Sequence, residues 1–243
     1  MGKNKSKRFI ENETFSNIIQ PRWEEGFPLK GFWWSRFFQN GNPIVLELGC
    51  GKGEYTLALA ETYPQKNFIG VDIKGARFWQ GAKNALKKGL KNVAFIRTRI
   101  EWIQNFFGLE EVNEIWITFP DPQIKHKRAK HRLTHPDFLK KYHAITKPGA
   151  CIHLKTDSEF LYGYTQAILQ CGGHEILLCS HDVYRPDVVH LPSSVTTIQT
   201  FYEKTFLREG KPISYIQFQL NFSQKHPILE ISSFGKLSHL KLS

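Results

Sequence analysis

The sequence predicts an α/β fold in which a doubly wound, mostly parallel β-sheet carries helices on both faces. Short apolar runs alternate with segments of helical periodicity along most of the chain, which is the pattern of such sheets. In one early run, Ile44–Leu48, apolar residues flank a single acid, as is typical of a buried parallel strand. A glycine-rich turn and a helical pattern follow it directly, so we expect the first α/β unit to begin here.

The remaining elements are predicted in the same way. Strands are expected at residues 44–48, 68–72, 93–97, 114–119, 151–155 and near 175–179. Helices are expected near residues 54–62, 75–88, 135–145 and 159–170, with a short one around 102–107. Because ligands of such sheets bind at the carboxyl ends of the strands, we expect the functional residues there.

The two ends of the chain are predicted to be appendages to a domain that covers residues 31–221. Residues 1–30 carry four cations close together and are expected to form a mobile basic arm, which either contacts phosphates or is a solvated tail. These cations are Lys3, Lys5, Lys7 and Arg8. Residues 222–243 show no clear periodicity and form a C-terminal tail.

Aromatic residues precede the first strand at helix-like spacing. They are Phe32, Trp33, Trp34, Phe37 and Phe38. This spacing favours a helix that packs on the sheet, with a platform for stacking bases as the alternative.

The composition indicates a basic globular protein. The chain has 243 residues, of which 41% are hydrophobic, so it can bury a substantial core and is most simply one domain with appendages. Its 33 Lys and Arg exceed its 22 Asp and Glu, which gives a net charge of +11. Such a field attracts polyanions and suggests a nucleic-acid partner, although a basic surface with no such partner has the same composition.

The cysteines and apolar runs predict a cytoplasmic protein. None of the four cysteines lies in a C-x-x-C pair, which favours reduced thiols over disulfides or a metal site. No apolar run approaches the roughly 18 residues of a membrane span, and the basic start lacks the apolar core of a signal peptide. The sequence leaves open whether the protein is a monomer or a homodimer.

The turn after the first strand predicts a nucleoside-containing ligand. Its glycines are Gly49, Gly51 and Gly53, whereas a dinucleotide site has the spacing G-x-G-x-x-G. The observed spacing favours S-adenosylmethionine (SAM). Glu47 supports this, because a carboxylate at a strand end suits a cationic amino-acid group better than a pyrophosphate. A glycine turn without a ligand is the alternative.

The second strand ends in Asp72, at the position where an acidic side chain meets ribose hydroxyls. Dinucleotide sites and SAM sites both use such an acid. Asp72 therefore supports a nucleoside ligand without deciding which one.

The loop after the fourth strand combines an acid with a dense group of cations. Asp121 lies between Pro120 and Pro122, so we expect a stiff turn beside the cofactor methyl group. The cations that follow predict a polyanionic partner, because unpaired they would repel one another. They are Lys125, Lys127, Arg128, Lys130 and Arg132. His126 and His131 have no cysteines at zinc spacing, so no metal site is expected.

Together the motifs LELGCGKG, GVD, FPDP with its Lys/Arg loop, KTD and T-x-Y-E resemble the class I, SAM-dependent tRNA (guanine-N7-)-methyltransferase family. The resemblance covers about residues 43–220 and implies a Rossmann-like fold that methylates N7 of a guanine in the variable loop of tRNA. It implies that Glu47 and Asp72 hold SAM and that Asp121 is the active-site carboxylate, which also borders the cofactor. The substrate contacts that it implies are Lys125, Asp157, Thr200, Phe201, Tyr202 and Glu203.

The chain departs from the family pattern at three positions. Gln123 stands where tryptophan is usual, and Arg128 stands where a histidine is usual. The acid that usually closes the third strand falls near Arg99. We therefore expect a divergent branch in which Arg99 and Ile100 border the adenine end of SAM.

Other functions stay open on the sequence. An amino-methyltransferase that acts on adenine or cytosine has an acid-Pro-Pro-aromatic turn at the same place, but Gln123 replaces the aromatic residue. A non-catalytic RNA-binding module of the same fold is the other alternative. Asp157 either contacts substrate or caps the helix that follows it.

Overall fold

The computed structural model describes residues 2–21, 26–185 and 190–222, and the predicted tail beyond residue 222 lies outside them. The described residues form one eight-stranded sheet. Its strands are β1 (Ile18–Ile19), β2 (Ile44–Leu48), β3 (Asn67–Asp72), β4 (Val93–Arg97), β5 (Val112–Thr118), β6 (Thr146–Thr156), β7 (Glu175–Ser180) and β8 (Ser214–Gln219). The α-helices are α1 (Gly2–Asn12), α2 (Glu54–Thr62), α3 (Gly75–Lys87), α4 (Pro136–Ile145), α5 (Glu159–Cys171), α6 (Ser193–Thr197) and α7 (Phe201–Arg208).

The strand order is β1-β4-β3-β2-β5-β6-β8-β7. The pairs from β1 to β6 are parallel, and β8 runs antiparallel to both β6 and β7. The order reverses between β2 and β5, which makes this the switch point where sheets of this class bind ligands. The predicted doubly wound, mostly parallel sheet is confirmed. Strands β1 and β8 were not predicted.

The N-terminal segment is docked on α3 and the sheet edge over residues 2–19, where the sequence suggested a mobile arm. Asn12 donates from Nδ2 to the carbonyl of Gly75 at 3.1 Å. Glu11 accepts from the Trp79 indole at 2.9 Å and pairs with Lys83 at 2.7 Å. Strand β1 then adds to the edge of the sheet beside β4. Hydrogen bonds to α3 and β4 therefore hold a segment whose composition alone suggested a free tail.

Trp33 and Phe38 of the aromatic segment before β2 pack as predicted, whereas Phe32 and Trp34 stay exposed. Trp33 is fully buried, donates its indole N–H to the carbonyl of Phe106 at 2.9 Å and stacks on Phe107 with ring centroids 5.4 Å apart. The segment is a single π-helical turn, Trp33–Phe37. It closes one apolar face of the sheet, while α2 and α3 cover the other. None of the helices in the described ranges is long and apolar enough to cross a membrane.

Gly53 lets α2 and α3 approach β4 closely. Its φ of 73° lies in the left-handed region, and a Cβ atom added there would be 2.5 Å from the Phe95 ring. Gly81 of α3 lies on the other side of the same contact, where an added Cβ would be 3.1 Å from the Gly53 Cα. Gly53 therefore allows the close packing of α2 and α3 on β4, and this packing positions the glycine turn at the edge of the sheet.

Candidate active site

The glycine turn and the end of β3 are tied together by one carboxylate. The Oδ2 atom of Asp72 accepts from the backbone N–H of Gly51 at 3.0 Å, and Oδ1 accepts from that of Lys74 at 2.7 Å. Gly49 and Gly51 have φ of 78° and 55°, a conformation that glycine adopts without strain. Asp72 thus fixes the end of β3 relative to the turn that follows β2.

A cavity of about 490 Å³ opens at this edge of the sheet. Six of the predicted site residues line it, and they are Gly49, Asp72, Arg99, Ile100, Asp121 and Arg128. Sequence reasoning missed most of its other walls. These are Ile73, Lys74, Arg77, Thr98, Phe119, Leu133 and Phe138. The cavity therefore joins the ends of β2, β3, β4 and β5, as the topology requires.

Glu47 lies behind the turn and does not line the cavity. It is 3% exposed, and its carboxylate accepts from the Thr56 backbone N–H at 2.8 Å, from the Thr56 hydroxyl and from the Thr118 hydroxyl at 2.6 Å. Burial outweighs these hydrogen bonds and raises the pKa of Glu47 to about 7. This side chain joins β2, α2 and β5, and its direct contact with a ligand stays a prediction.

Gly53 does not line the cavity, and a Cβ atom added there would meet Phe95 and Gly81. Its contact with the cofactor stays a prediction. Gly51 does not line the cavity, and its N–H is already bonded to Asp72. Of the three glycines, Gly49 is the one at the cavity wall.

Replacing Glu47 with Gln should flatten the pH dependence of stability. Because the pKa of the folded carboxyl is raised from 4.5 to about 7, its contribution is fully present at low pH and is lost as pH rises through about 7. We expect the wild-type free energy of unfolding to fall by up to about 3 kcal/mol between about pH 5 and pH 8, and the Glu47→Gln variant to lack this fall. Urea unfolding at both pH values measures it, and parallel curves for the two proteins would contradict the assignment.

Asp121 occupies a tight turn at the end of β5. Phe119 and Gln123, on either side of it, both have φ of 48°, and the Gln123 N–H donates to Asp121 Oδ1 at 3.0 Å. The Phe119 N–H donates to the carbonyl of Lys155 at 2.8 Å, which anchors the turn to β6. Asp121 is exposed and borders the cavity. Backbone geometry therefore presents this carboxylate to a ligand while one oxygen holds the turn.

The basic loop forms the 3-10 helix His126–His131, and most of its cations face solvent. Lys125, Lys127, Arg128 and Lys130 are exposed, and Arg128 also lines the cavity. These four side chains are accessible to a polyanion.

Arg132 is the exception among the predicted cations. It is 5% exposed, and its guanidinium donates to the carbonyl of Gln123 at 3.1 and 3.2 Å. It also lies over the rings of Phe160 and Tyr164, at 4.7 and 4.4 Å from their centroids. Its prediction as a phosphate contact is wrong, because α5 buries it and it braces the Asp121 turn from below.

The T-x-Y-E segment splits into inward and outward residues. Thr200 is buried and caps α7 by accepting from the Glu203 N–H at 3.2 Å. Glu203 is fully buried, with an oxygen 2.6 Å from Lys155 Nζ and 2.7 Å from the Tyr184 hydroxyl. Thr200 and Glu203 are therefore corrected as substrate contacts, since both are used inside the protein.

Phe201 and Tyr202 face outward beside the glycine turn. They are 56% and 46% exposed. The ammonium of Lys52, in that turn, lies 4.0 Å from the Phe201 ring centroid, and Glu54 accepts from the Phe201 N–H at 2.9 Å. These two aromatic residues stay predicted substrate contacts.

Asp157 follows β6 and does not cap α5. Ser158 is the cap, because its hydroxyl accepts from the Leu161 N–H at 3.2 Å. Asp157 is half-buried, which raises its pKa, and it lies outside the lining of the cavity. Its contact with substrate stays a prediction.

Comparison with known proteins identifies the class to which the chain belongs. The family model described as "Putative methyltransferase" matches residues 41–216. The crystal structure of the 16S rRNA methyltransferase KamB superposes with a TM-score of 0.61 at 14% identity, covering 84% of this chain and 99% of that one. A variant of the 16S rRNA (adenine(1408)-N(1))-methyltransferase from Catenulisporales acidiphilia, solved with SAM, superposes with a TM-score of 0.51 at 15% identity, covering 79% and 92%. The fold and site define a methyltransferase of the Rossmann-like class.

Two curated relatives narrow the family. The tRNA (guanine-N(7)-)-methyltransferase of Christiangramia forsetii is 60% identical over 90% of this chain and 98% of its own length. That of Porphyromonas gingivalis is 47% identical over 90% of this chain and 92% of its own length. The chain belongs to the tRNA (guanine-N(7)-)-methyltransferase family, as the sequence motifs predicted.

Proposed function

We propose that this enzyme transfers the methyl group of SAM to N7 of a guanine in the variable loop of tRNA. One observation carries the proposal: Asp72 and Asp121 line one cavity at the switch point, and the exposed Arg128 of the basic loop lines it too. A nucleoside-binding acid, an orienting acid and phosphate-binding cations thus share one edge of the sheet. The names of the relatives support this reaction.

The chemistry of the cavity suits SAM. The ligand is cationic and carries ribose hydroxyls and a purine, and the walls offer the carboxylates of Asp72 and Asp121 beside the apolar Ile100, Leu133 and Phe138. Gly49, in the left-handed conformation, leaves its side of the cavity free of a side chain. When bound, SAM supplies an electrophilic methyl group on a sulfonium.

Asp121 orients the guanine in this proposal. Guanine N7 has a free lone pair in the neutral base, so no general base is needed. Asp121 Oδ1 holds the Gln123 N–H, which leaves Oδ2 to accept from the N1–H and N2–H groups of the base. This contact fixes the direction of attack and places negative charge near a purine that becomes cationic.

Incubation of unmodified tRNA with methyl-labelled SAM, followed by chemical cleavage at N7-methylguanosine, tests the proposal. Cleavage at a variable-loop guanine is expected. Label in N-methyladenine or N-methylcytosine would instead support an amino-methyltransferase. Failure to bind SAM in equilibrium dialysis would support a non-catalytic RNA-binding module.

The exposed lysines of the loop should carry part of the tRNA affinity. Changing Lys125, Lys127 and Lys130 together to Gln should weaken tRNA binding and reduce the slope of log affinity against log salt by about two to three, since each is free to neutralise a phosphate. Filter binding over a range of salt concentrations measures the slope. An unchanged slope would exclude these residues from the interface.

A tRNA substrate also supports a cytoplasmic location. The four cysteines are free thiols, as is usual for proteins of a reducing compartment.

A further inference from the structure

Cations also line the wall of the cavity that lies across from the basic loop. Lys74 after β3, Arg77 in the first turn of α3 and Arg99 after β4 are all exposed and border the cavity. Three further exposed cations continue this surface onto α1 and β4. We define the α3 patch as Lys7, Arg8, Lys74, Arg77, Arg97 and Arg99.

Contacts between α1, α3 and β4 make the patch continuous. Arg8 reaches the carbonyl of Ala76, in the first turn of α3, at 3.5 Å. Arg97 donates from Nε to the carbonyl of Ile73 at 3.4 Å and from Nη1 to Gln20 at 3.4 Å. The docking of α1 thus brings N-terminal cations beside the cavity.

Glu11 interacts electrostatically with Lys7, and Asp72 and Glu101 line the same cavity, but no cation of the patch forms a close ion pair within the described residues. None of its six cations lies within 4.0 Å of a carboxylate oxygen there, whereas Lys83 and Lys88, farther along α3, pair with Glu11 and Glu61. Three of its four arginines instead lie against aromatic rings: Arg8 is 4.8 Å from the Trp79 ring centroid, Arg97 4.5 Å from that of Phe9 and Arg99 5.4 Å from that of Trp102. Stacking fixes the guanidinium planes while donors remain for a ligand.

We propose that the α3 patch is a second phosphate-binding surface for the tRNA substrate. The RNA then crosses the opening of the cavity between the α3 patch on one side and the basic loop on the other. This inference rests on the proposed function. Charge complementarity carries it, because six exposed cations that form no close ion pair in the described residues attract a polyanion, and phosphate contacts position RNA without reading its sequence.

Two residues of the patch have an alternative role, which is to bind the carboxylate of SAM. Lys74 and Arg77 lie close enough to the cavity to contact the bound cofactor instead. The two uses make opposite predictions. A cofactor contact changes SAM affinity and leaves the salt dependence of tRNA binding unchanged, whereas a phosphate contact does the reverse.

The double variant Lys74→Gln, Arg77→Gln tests the proposal, with Lys87→Gln, Lys91→Gln as the matched control. The control removes the same charge from exposed lysines that also have no carboxylate within 4.0 Å in the described chain. Lys87 lies twelve residues beyond Gly75 along α3, which is about 18 Å. Filter binding of tRNA at several salt concentrations and equilibrium dialysis with SAM are measured on all three proteins.

The patch variant is expected to bind tRNA about tenfold more weakly at low salt, with a salt slope smaller by about one to two and SAM affinity within about twofold of wild type. The control is expected to match wild type. An unchanged slope, an equal loss in the control, or a loss of SAM affinity with tRNA affinity retained would each overturn the inference. Wild-type protein that fails to bind tRNA would overturn the proposed function itself, whereas wild-type binding with an insensitive patch variant removes the α3 patch alone.

Discussion

The Asp121→Asn variant is expected to methylate tRNA about a hundredfold to a thousandfold more slowly than wild type, with nearly unchanged SAM affinity. The amide oxygen can still accept from the Gln123 N–H, so the turn keeps its shape. What changes is the group presented to guanine. The amide NH₂ is a donor that faces the donors of the base, and the negative charge that would offset the developing purinium is gone.

Single-turnover methylation with labelled SAM, together with equilibrium dialysis, separates these effects. Asp182→Asn is a matched control, because Asp182 accepts from the Tyr184 N–H at 3.1 Å in a turn of the same kind and does not line the cavity. The control should retain full activity. Near wild-type turnover in the Asp121 variant would remove Asp121 from the reaction, and an equal loss in the control would trace the effect to turn stability.

The sequence predicted the residues whose positions depend on local order along the chain. Asp72 and Asp121 follow buried strands, and parallel strands bring their carboxyl ends to one edge, so their meeting at the cavity could be expected. Ile100 was instead expected from the family pattern, which usually has an acid near Arg99. The order of apolar runs and helical periods likewise predicted the doubly wound sheet that the structure shows.

The errors concern side chains whose surroundings come from distant elements. Arg132 belongs to the same charged run as Lys130, but Phe160 and Tyr164 of α5 cover it alone. Glu203 follows an exposed aromatic residue, yet Lys155 lies opposite it inside the protein. These side chains are buried because a distant helix packs over them. Hydrophobic periodicity in a single sequence does not show where that helix packs.

The missed strands have a related cause. Strand β1 has two residues and exists because it pairs with β4, and its pattern alone is too short to predict a strand. Strand β8 returns antiparallel between β6 and β7, outside the regular alternation of strand and helix. The N-terminal arm was misjudged because its polar residues, such as Asn12, find partners on α3.

Lys155 and Glu203 form the charged pair on which the stability of the site edge should depend most. Both side chains are fully buried, with Nζ 2.6 Å from a carboxylate oxygen and 3.1 Å from the carbonyl of Ile198. Burial lowers the pKa of Lys155 from its ordinary value, although the carboxylate of Glu203 opposes this shift. The pair joins β6 to α7, and the Lys155 carbonyl also holds Phe119 at the base of the Asp121 turn.

The single change Lys155→Met should lower the free energy of unfolding by about 3–5 kcal/mol, because it leaves the Glu203 carboxylate buried without its cation. Adding Glu203→Gln should restore a large part of this loss, since the Tyr184 hydroxyl can still donate to the amide oxygen and no buried charge remains. Urea unfolding of wild type, both single variants and the double variant completes a double-mutant cycle. A double variant no more stable than Lys155→Met would show that packing around the lysine stem, rather than its charge, holds this edge together.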